Sequence, residues 1–517
     1  MRRSARLGTP HLRGGEAFCP APSWPSDRKS CLTWAIVNAI DWVVGRNFPY
    51  MKTWIKATCC LISVLSLVAC RKSAATIKHA AEVTRQSRLQ WNLDTLVAPY
   101  LQSGHTNSQW DEPARTALTE FARARAQSVA ADENAAEIIS NTCASALQAG
   151  CDDPLVRYLY IRYAMPQSES KEKFAEALCQ TALAMEGTSY PYIRKYYAWI
   201  RVGDQIHYTY GYGTNIPLSV LRLNPWGQAE SDLMNTLADK TMPPEEIYEA
   251  SHELLNVWKA DSNHYATLYQ NIVASIADER AKAPAMLLLK GEAYIEMAWH
   301  ARGSGYANTV TDDGWKLFAQ RLDTAASALT KAWELDQTDP RVPLKMMNVE
   351  LGQGQGRERM ELWFDRAMKL DTNDYDACNY KLWYLEPKWH GSVEDMLAFG
   401  RECVQSTKWG GRIPLILVDA HVAIQNEFIS DKDRAGYWKR PEVWSDLKSA
   451  YNRFFELYPD ASGWYPNYAW YAYQAGDWPA FNDMVPKLGP ANYDFFGGKT
   501  NFDRMLAEAK AGGSRGH

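Results

Sequence analysis

AWELDQTDP, from Ala332 to Pro340, and AMKLDTND, from Ala367 to Asp374, write the same local solution twice. In each copy an amphipathic helix closes on Ala, a bulky residue, a charged residue and Leu, and a polar turn rich in Asp, Thr and Asn starts the next helix. Ala332 and Ala367 are 35 residues apart, as are Leu335 and Leu370. One helical hairpin cannot bury its own apolar face, so a period of about 34 residues is the spacing of two-helix units stacked on their neighbours. In the second copy Met360, Trp363, Phe364, Ala367 and Leu370 fall on one side of the helix. Glu358, Glu361, Asp365 and Lys369 supply the polar surface.

Working outward, NYAWYAYQAGDWPAF, from Asn467 to Phe481, has the layout of a first helix, a Gly turn and a second helix. With the two turns after Ala332 and Ala367, it resembles the tetratricopeptide-repeat superfamily. That resemblance implies stacked helical hairpins forming a right-handed superhelix, in one segment or two. The stretch YKLWYLEPKWHGS, from Tyr380 to Ser392, also resembles uncharacterised bacterial domain-of-unknown-function proteins, a likeness that implies no mechanism. Elsewhere helix follows helix, with few alternating runs rich in β-branched residues, so the fold class is all-α. Asp152 or Asp153 before Pro154 reads as a helix start, as does Ser392 with Asp395 three residues on. Gly203 to Pro225 is less regular and reads as a loop, a short strand pair or a ligand-facing lip.

A chain of 517 residues, 46% hydrophobic, 12% aromatic and 22% charged, has the composition of a folded protein with a substantial core. A formal charge of -4 and a pI near 6.2 give no basic footprint for nucleic acid, and no reader motif compensates.

The amino terminus has a different character. Residues 1–50 hold Arg2, Arg3, Arg6 and Arg13 and an interrupted apolar run, and read as a spurious upstream extension. From Met51 the order is that of an export signal: Lys52 and Lys56, an apolar core from Ala57 to Val68, then Ala69 before Cys70. LVAC, from Leu67 to Cys70, resembles the lipobox of bacterial lipoproteins. The resemblance implies cleavage before Cys70, diacylglycerol on its thiol, an acyl group such as palmitate on its new amino group, and stable anchoring by two or three chains. An ordinary cleaved signal and an uncleaved anchor are the alternatives. Arg71 follows Cys70, and the Asp associated with inner-membrane retention is absent there, which favours the outer membrane.

The domain reading follows: 51–69 signal peptide, 70–90 lipidated cysteine and tether, 91–240 amino-terminal helical domain, and 241–429 helical repeat domain. Residues 430–440 form a linker, and 441–517 the carboxy-terminal repeat-like helices.

No zinc helix and no paired-cysteine motif is present. Gly497 to Thr500 reads GGKT, but Tyr493 stands where a phosphate loop needs Gly, so this is a turn. No cofactor and no metal are expected. The densest polar and aromatic cluster is Trp383, Tyr384, Glu386, Lys388, Trp389 and His390. Glu386 and His390 have the chemistry of proton transfer, and the tryptophans that of stacking on a ring or sugar. Packing at a helix end around Pro387 accounts for the same residues. The loop from Ala301 to Gly314 offers Arg302, which can read a carboxylate or phosphate, and Tyr306, or is a plain turn shaped by Gly303 and Gly305. After Cys70 five cysteines remain, Cys143, Cys151, Cys179, Cys378 and Cys403, which cannot all pair within one chain. Cys143 and Cys151 are the best local pair if the body is oxidised.

These readings lead to an envelope-anchored, non-catalytic protein- or peptide-binding scaffold in the periplasm or on the cell surface. Its partners would be membrane lipid through Cys70 and another envelope protein, with no nucleic acid. A lipoprotein that binds glycan or cell-wall fragments is the alternative, and an envelope-modifying enzyme comes third.

Overall fold

The computed structural model describes residues 82–102, 106–127, 133–166, 168–211, 216, 222–434 and 436–513. The chain divides into Met1–Lys78 and His79–His517. The first unit, with Cys70 and the whole signal region, lies outside the described residues.

The regular structure of the described residues is all helical, with no strand among them. Helix α1 spans 82–102 and is followed by α2 (Asp111–Ala126), α3 (Glu133–Gln148), α4 (Pro154–Tyr163), α5 (Lys171–Glu186), α6 (Tyr192–Tyr210) and α7 (Pro225–Leu237). The middle of the body contains α8 (Pro244–Val257), α9 (Ser262–Ser275), α10 (Pro284–Arg302), α11 (Asp312–Leu335), α12 (Arg341–Gln353), α13 (Arg357–Leu370), α14 (Tyr375–Tyr384) and α15 (Val393–Gln405). The last helices are α16 (Ile416–Ala423), α17 (Pro441–Leu457), α18 (Tyr465–Ala475), α19 (Trp478–Met484) and α20 (Lys499–Gly513). Consecutive helices pack as pairs, and the first helices of successive pairs, α8, α10, α12 and α14, also touch one another in series. One hydrophobic core runs from Trp91 to Ala509, through 240 and 441 without a break.

The two written repeats have one geometry. Ala332 and Ala367 are completely buried, and each carbonyl accepts the backbone N–H of the Asp four residues on, Asp336 and Asp371. Both aspartates are extended and fold their carboxylates onto the N–H two residues further, Thr338 and Asn373, at 2.8 Å each. A small residue at the crossing lets the helices approach, and the Asx turn starts the next helix without an orphaned amide. Met360, Trp363, Phe364 and Ala367 are buried as their spacing requires. Leu370 departs from that face at 37% exposed, as does Leu335 at 52%. Each is the last residue of its helix, beside the extended Asp that turns the chain outward.

The expected helix starts are present. Asp153 caps α4 by accepting from Leu155 and Val156, and Ser392 caps α15 by accepting from Asp395. Two expectations are corrected. Residues 203–210, expected in an irregular stretch, continue α6 as helix. Gly203 is there because a Cβ would come within 2.2 Å of Trp226 Nε1 on α7, so the glycine marks a close crossing. Residues 82–90, expected in a tether, are already helix. Arg88 is buried and pairs at 2.9 Å with the buried Glu246 of α8, which ties this segment to the body.

Candidate functional site

The loop after α10 and the turn after α14, nearly 90 residues apart in sequence, meet in space. Helix α10 ends on Gly303 with φ 74, a left-handed residue that releases the chain one step after Arg302. The guanidinium of Arg302 lies 5.7 Å from the Trp299 ring, 5.5 Å from Trp315 and 5.5 Å from Trp389. Its Nη1 donates to the carbonyls of Gly303 and Gly305, both at 3.0 Å. Trp299 lies near-parallel to Trp383, at 6.3 Å and 17°, and Trp389 meets both edge-on. Phe318 closes the back of the cluster 5.0 Å from Trp299. Two donors inside this arrangement, Arg302 Nε and Trp389 Nε1, are buried and have no acceptor.

A polar cleft adjoins the cluster on the series of first helices. It holds about 90 Å³ and is lined by His252 and Asn256 of α8, Glu292 and Glu296 of α10, Lys345 and Asn348 of α12, and Tyr380 of α14. Glu292 organises it from below. This buried carboxylate accepts from Tyr248 at 3.0 Å, contacts His252 Nδ1 at 2.9 Å, and pairs with Lys345 at 3.2 Å. Burial opposes its charge, but His252 and Lys345 outweigh burial and hold the carboxyl down at about 2. Lys345 is raised in turn, since Glu292 offsets its own desolvation. The cleft and the aromatic cluster share one hydrogen-bond chain. Trp299 Nε1 donates to Asn348 Oδ1 at 2.9 Å, and Asn348 Nδ2 donates to the Tyr380 hydroxyl at 3.3 Å. Tyr380 in turn is 6.4 Å from Trp383.

The residues singled out in the sequence divide into two groups. Arg302, Trp383 and Trp389 come together, and Trp383 keeps 37% of its surface exposed. Glu386 and Lys388 pair at 3.0 Å, and Lys388 also bridges to Glu427. Burial raises the Glu386 carboxyl despite that lysine. His390 has a packing role: its Nε2 contacts the Leu351 carbonyl at 2.8 Å, and its ring lies 4.5 Å from Tyr384 and against Gly354, where a Cβ would come within 2.7 Å. Tyr306, 84% exposed, stands on the loop. Cys143 and Cys151 are buried free thiols. Desolvation, then the neighbouring Cys151, pushes Cys143 up to about 12. Cys70 lies outside the described residues.

Glu292, Lys345, His252 and Asn348 carry no local motif, and only their recurrence on successive first helices marks them. A larger open depression of about 730 Å³ lies between Gly411–Arg412 and Leu457–Trp464. Its Arg412 is held over Tyr375 and Trp464, and it lacks the convergent set of ionisable groups found in the cleft. Among the described residues no helix is long and apolar enough to cross a membrane, and no group of three His, Cys, Asp or Glu is placed to hold a metal ion. No protein-family model matches the chain, and no curated protein matches it.

Proposed function

We propose that this chain is a non-catalytic scaffold whose tetratricopeptide-like, right-handed superhelix binds an extended segment of another envelope protein. The observation that supports this most is the continuous row formed by the cleft and the aromatic cluster, built from side chains of four successive helix pairs. Such a row follows an extended chain: amide, lysine and tyrosine groups suit backbone carbonyls and polar side chains, while Trp383, Trp389 and Arg302 supply large anchoring surfaces. The sites lie on rigid helices and their end turns, so recognition does not require rebuilding the core. In this reading the lipobox-like LVAC anchors the body to the membrane through Cys70, with the outer membrane favoured by Arg71.

A glycan is the second reading, and one feature favours it. Trp299 and Trp383 are near-parallel, and the unpaired Trp389 Nε1 and Arg302 Nε beside them are donors suited to sugar oxygens. The test is crosslinking in intact cells with mass spectrometry, on the native chain and on Arg302→Ala and Trp389→Ala separately. The peptide reading expects one recurrent protein partner, lost in both variants while thermal unfolding is nearly unchanged. Recovery of no protein partner, with glycan binding that requires Trp389, would replace the first reading with the second.

A further inference from the structure

We propose that Cys378 and Cys403 form a disulfide bond across the open end of the hairpin α14–α15. The proposal rests, for its occurrence in the cell, on the export reading above. Cys378 lies in the first turn of α14 and Cys403 in the last turn of α15, so an antiparallel pairing sets them opposite one another, far from the turn that joins the helices. After burial, Cys378 is the neighbour that does most to raise the Cys403 thiol. Both are almost wholly buried in the core, and the third neighbouring sulfur, Met368 Sδ, is 3.9 Å from Cys378 Sγ.

The five thiols described are Cys143, Cys151, Cys179, Cys378 and Cys403. After burial, Cys151 adds to the raising of Cys143, so these two free thiols are neighbours as well, and Cys179 is the remaining one.

The chemistry is thiol–disulfide exchange with an external disulfide such as oxidised glutathione. The Cys378 thiolate attacks one sulfur of that disulfide and releases one thiolate. The Cys403 thiolate then attacks Cys378 Sγ, forms the internal S–S bond and releases the second thiolate. The two cysteines lose two protons and two electrons, and the external disulfide is reduced to two thiols. Burial raises the Cys403 thiol, and Cys378 adds to the effect, so the reactive thiolate is scarce once the core has closed. The bond therefore forms while the chain folds, and a chain that folds reduced stays reduced.

The test is to denature the full chain, refold it with and without a glutathione redox buffer, alkylate the free thiols and map the peptides by mass. The expected result with the buffer is a peptide pair joined through Cys378 and Cys403, lighter than its reduced form by two hydrogens. The reduced, folded chain should resist a thiol reagent at both positions until it is denatured. Closing a loop of about 25 residues should raise the thermal midpoint by about 4 °C in a body of this size. Free, alkylated thiols at both positions after oxidative refolding, or a bond from Cys378 to another cysteine, would overturn the pairing; neither readout needs a variant to fold. The same mapping on chain taken from cells, with thiols trapped at lysis, isolates the other premise. A bond formed in the tube and free thiols in the cell would overturn the export reading and leave the pairing standing.

Discussion

Glu246→Gln should destabilise the body by about 3 kcal/mol, although only one oxygen changes. Glu246 is wholly buried on α8 and is the hub of a charge network. Its Oε1 accepts from Arg88 Nε and Nη2 at 3.0 and 2.9 Å and from Asn92 at 3.0 Å, and its Oε2 accepts from Arg125 Nη2 at 2.8 Å. The amide can keep the first set, but its NH2 then faces Arg125 donor to donor, and the charge opposite two arginines is gone. Breaking a buried pair costs about 3 to 5 kcal/mol. The lower end applies because Glu249 also reaches both Arg88 and Arg125 and retains part of the counter-charge. Arg194, already lowered to about 10 by burial and by Arg125, adds to the excess positive charge. The assay is urea unfolding followed by tryptophan fluorescence at neutral pH, with limited proteolysis of 82–102 as the local readout. A loss below about 1 kcal/mol with α1 still protected would refute the assignment of Glu246 as the tie between α1 and α8. The acid limb gives an independent check. Desolvation raises the Glu246 carboxyl, but Arg125 and Arg88 outweigh it and hold it at about 2 against an ordinary 4.5. Its contribution is therefore present above about pH 4.5 and lost as pH falls toward about 2. Glu249 is shifted the other way by burial and by Glu246, so the two carboxyls titrate as a pair, and the change of slope in the Gln variant belongs to that pair.

Ala367→Trp should cost about 1 to 3 kcal/mol by overpacking a fully buried crossing, and unchanged urea denaturation would show that the repeat register is misread. Asp232→Asn should stabilise the body by about 2 to 4 kcal/mol near pH 8 and by little near pH 4. Desolvation, then Glu186, raises this carboxyl from 3.8 to about 7 against the pull of Lys195, so its ionised form is penalised only as pH climbs through that interval. Equal stability of the two proteins at both pH values would refute the burial argument. Cys70→Ala should abolish lipid attachment, and starting the chain at Met51 should leave it intact. Detergent partitioning and amino-terminal peptide mapping check both, and an unmodified start other than Cys70 would overturn the anchor.

What could be read from the sequence was whatever physical chemistry writes locally. Ala332 and Ala367 were legible because close helix crossings demand small residues at the period of the stacked unit, and the Asx turns after them because Asp binds the backbone two residues on. Asp153 and Ser392 were legible as caps for the same reason: each acts within one turn of its own position. Arg302 and Trp389 stood out as large polar or aromatic residues at helix ends, and their 5.5 Å approach is a consequence of stacking that no local spacing encodes. The buried hub was hidden for a related reason. Arg88 looks like one more charge in a polar stretch, and only Glu246, more than 150 residues away, makes its burial favourable. The helical start of the 203–225 stretch was not legible because the close crossing that Gly203 permits is decided by Trp226, which belongs to the next helix. His252, Glu292, Lys345 and Asn348 are each unremarkable polar residues on amphipathic helices. They line one cleft because α8, α10, α12 and α14 touch in series. In a stacked fold the core is written residue by residue, whereas a binding surface is written once per repeat, so reading it requires the register of the helices before the identity of the side chains.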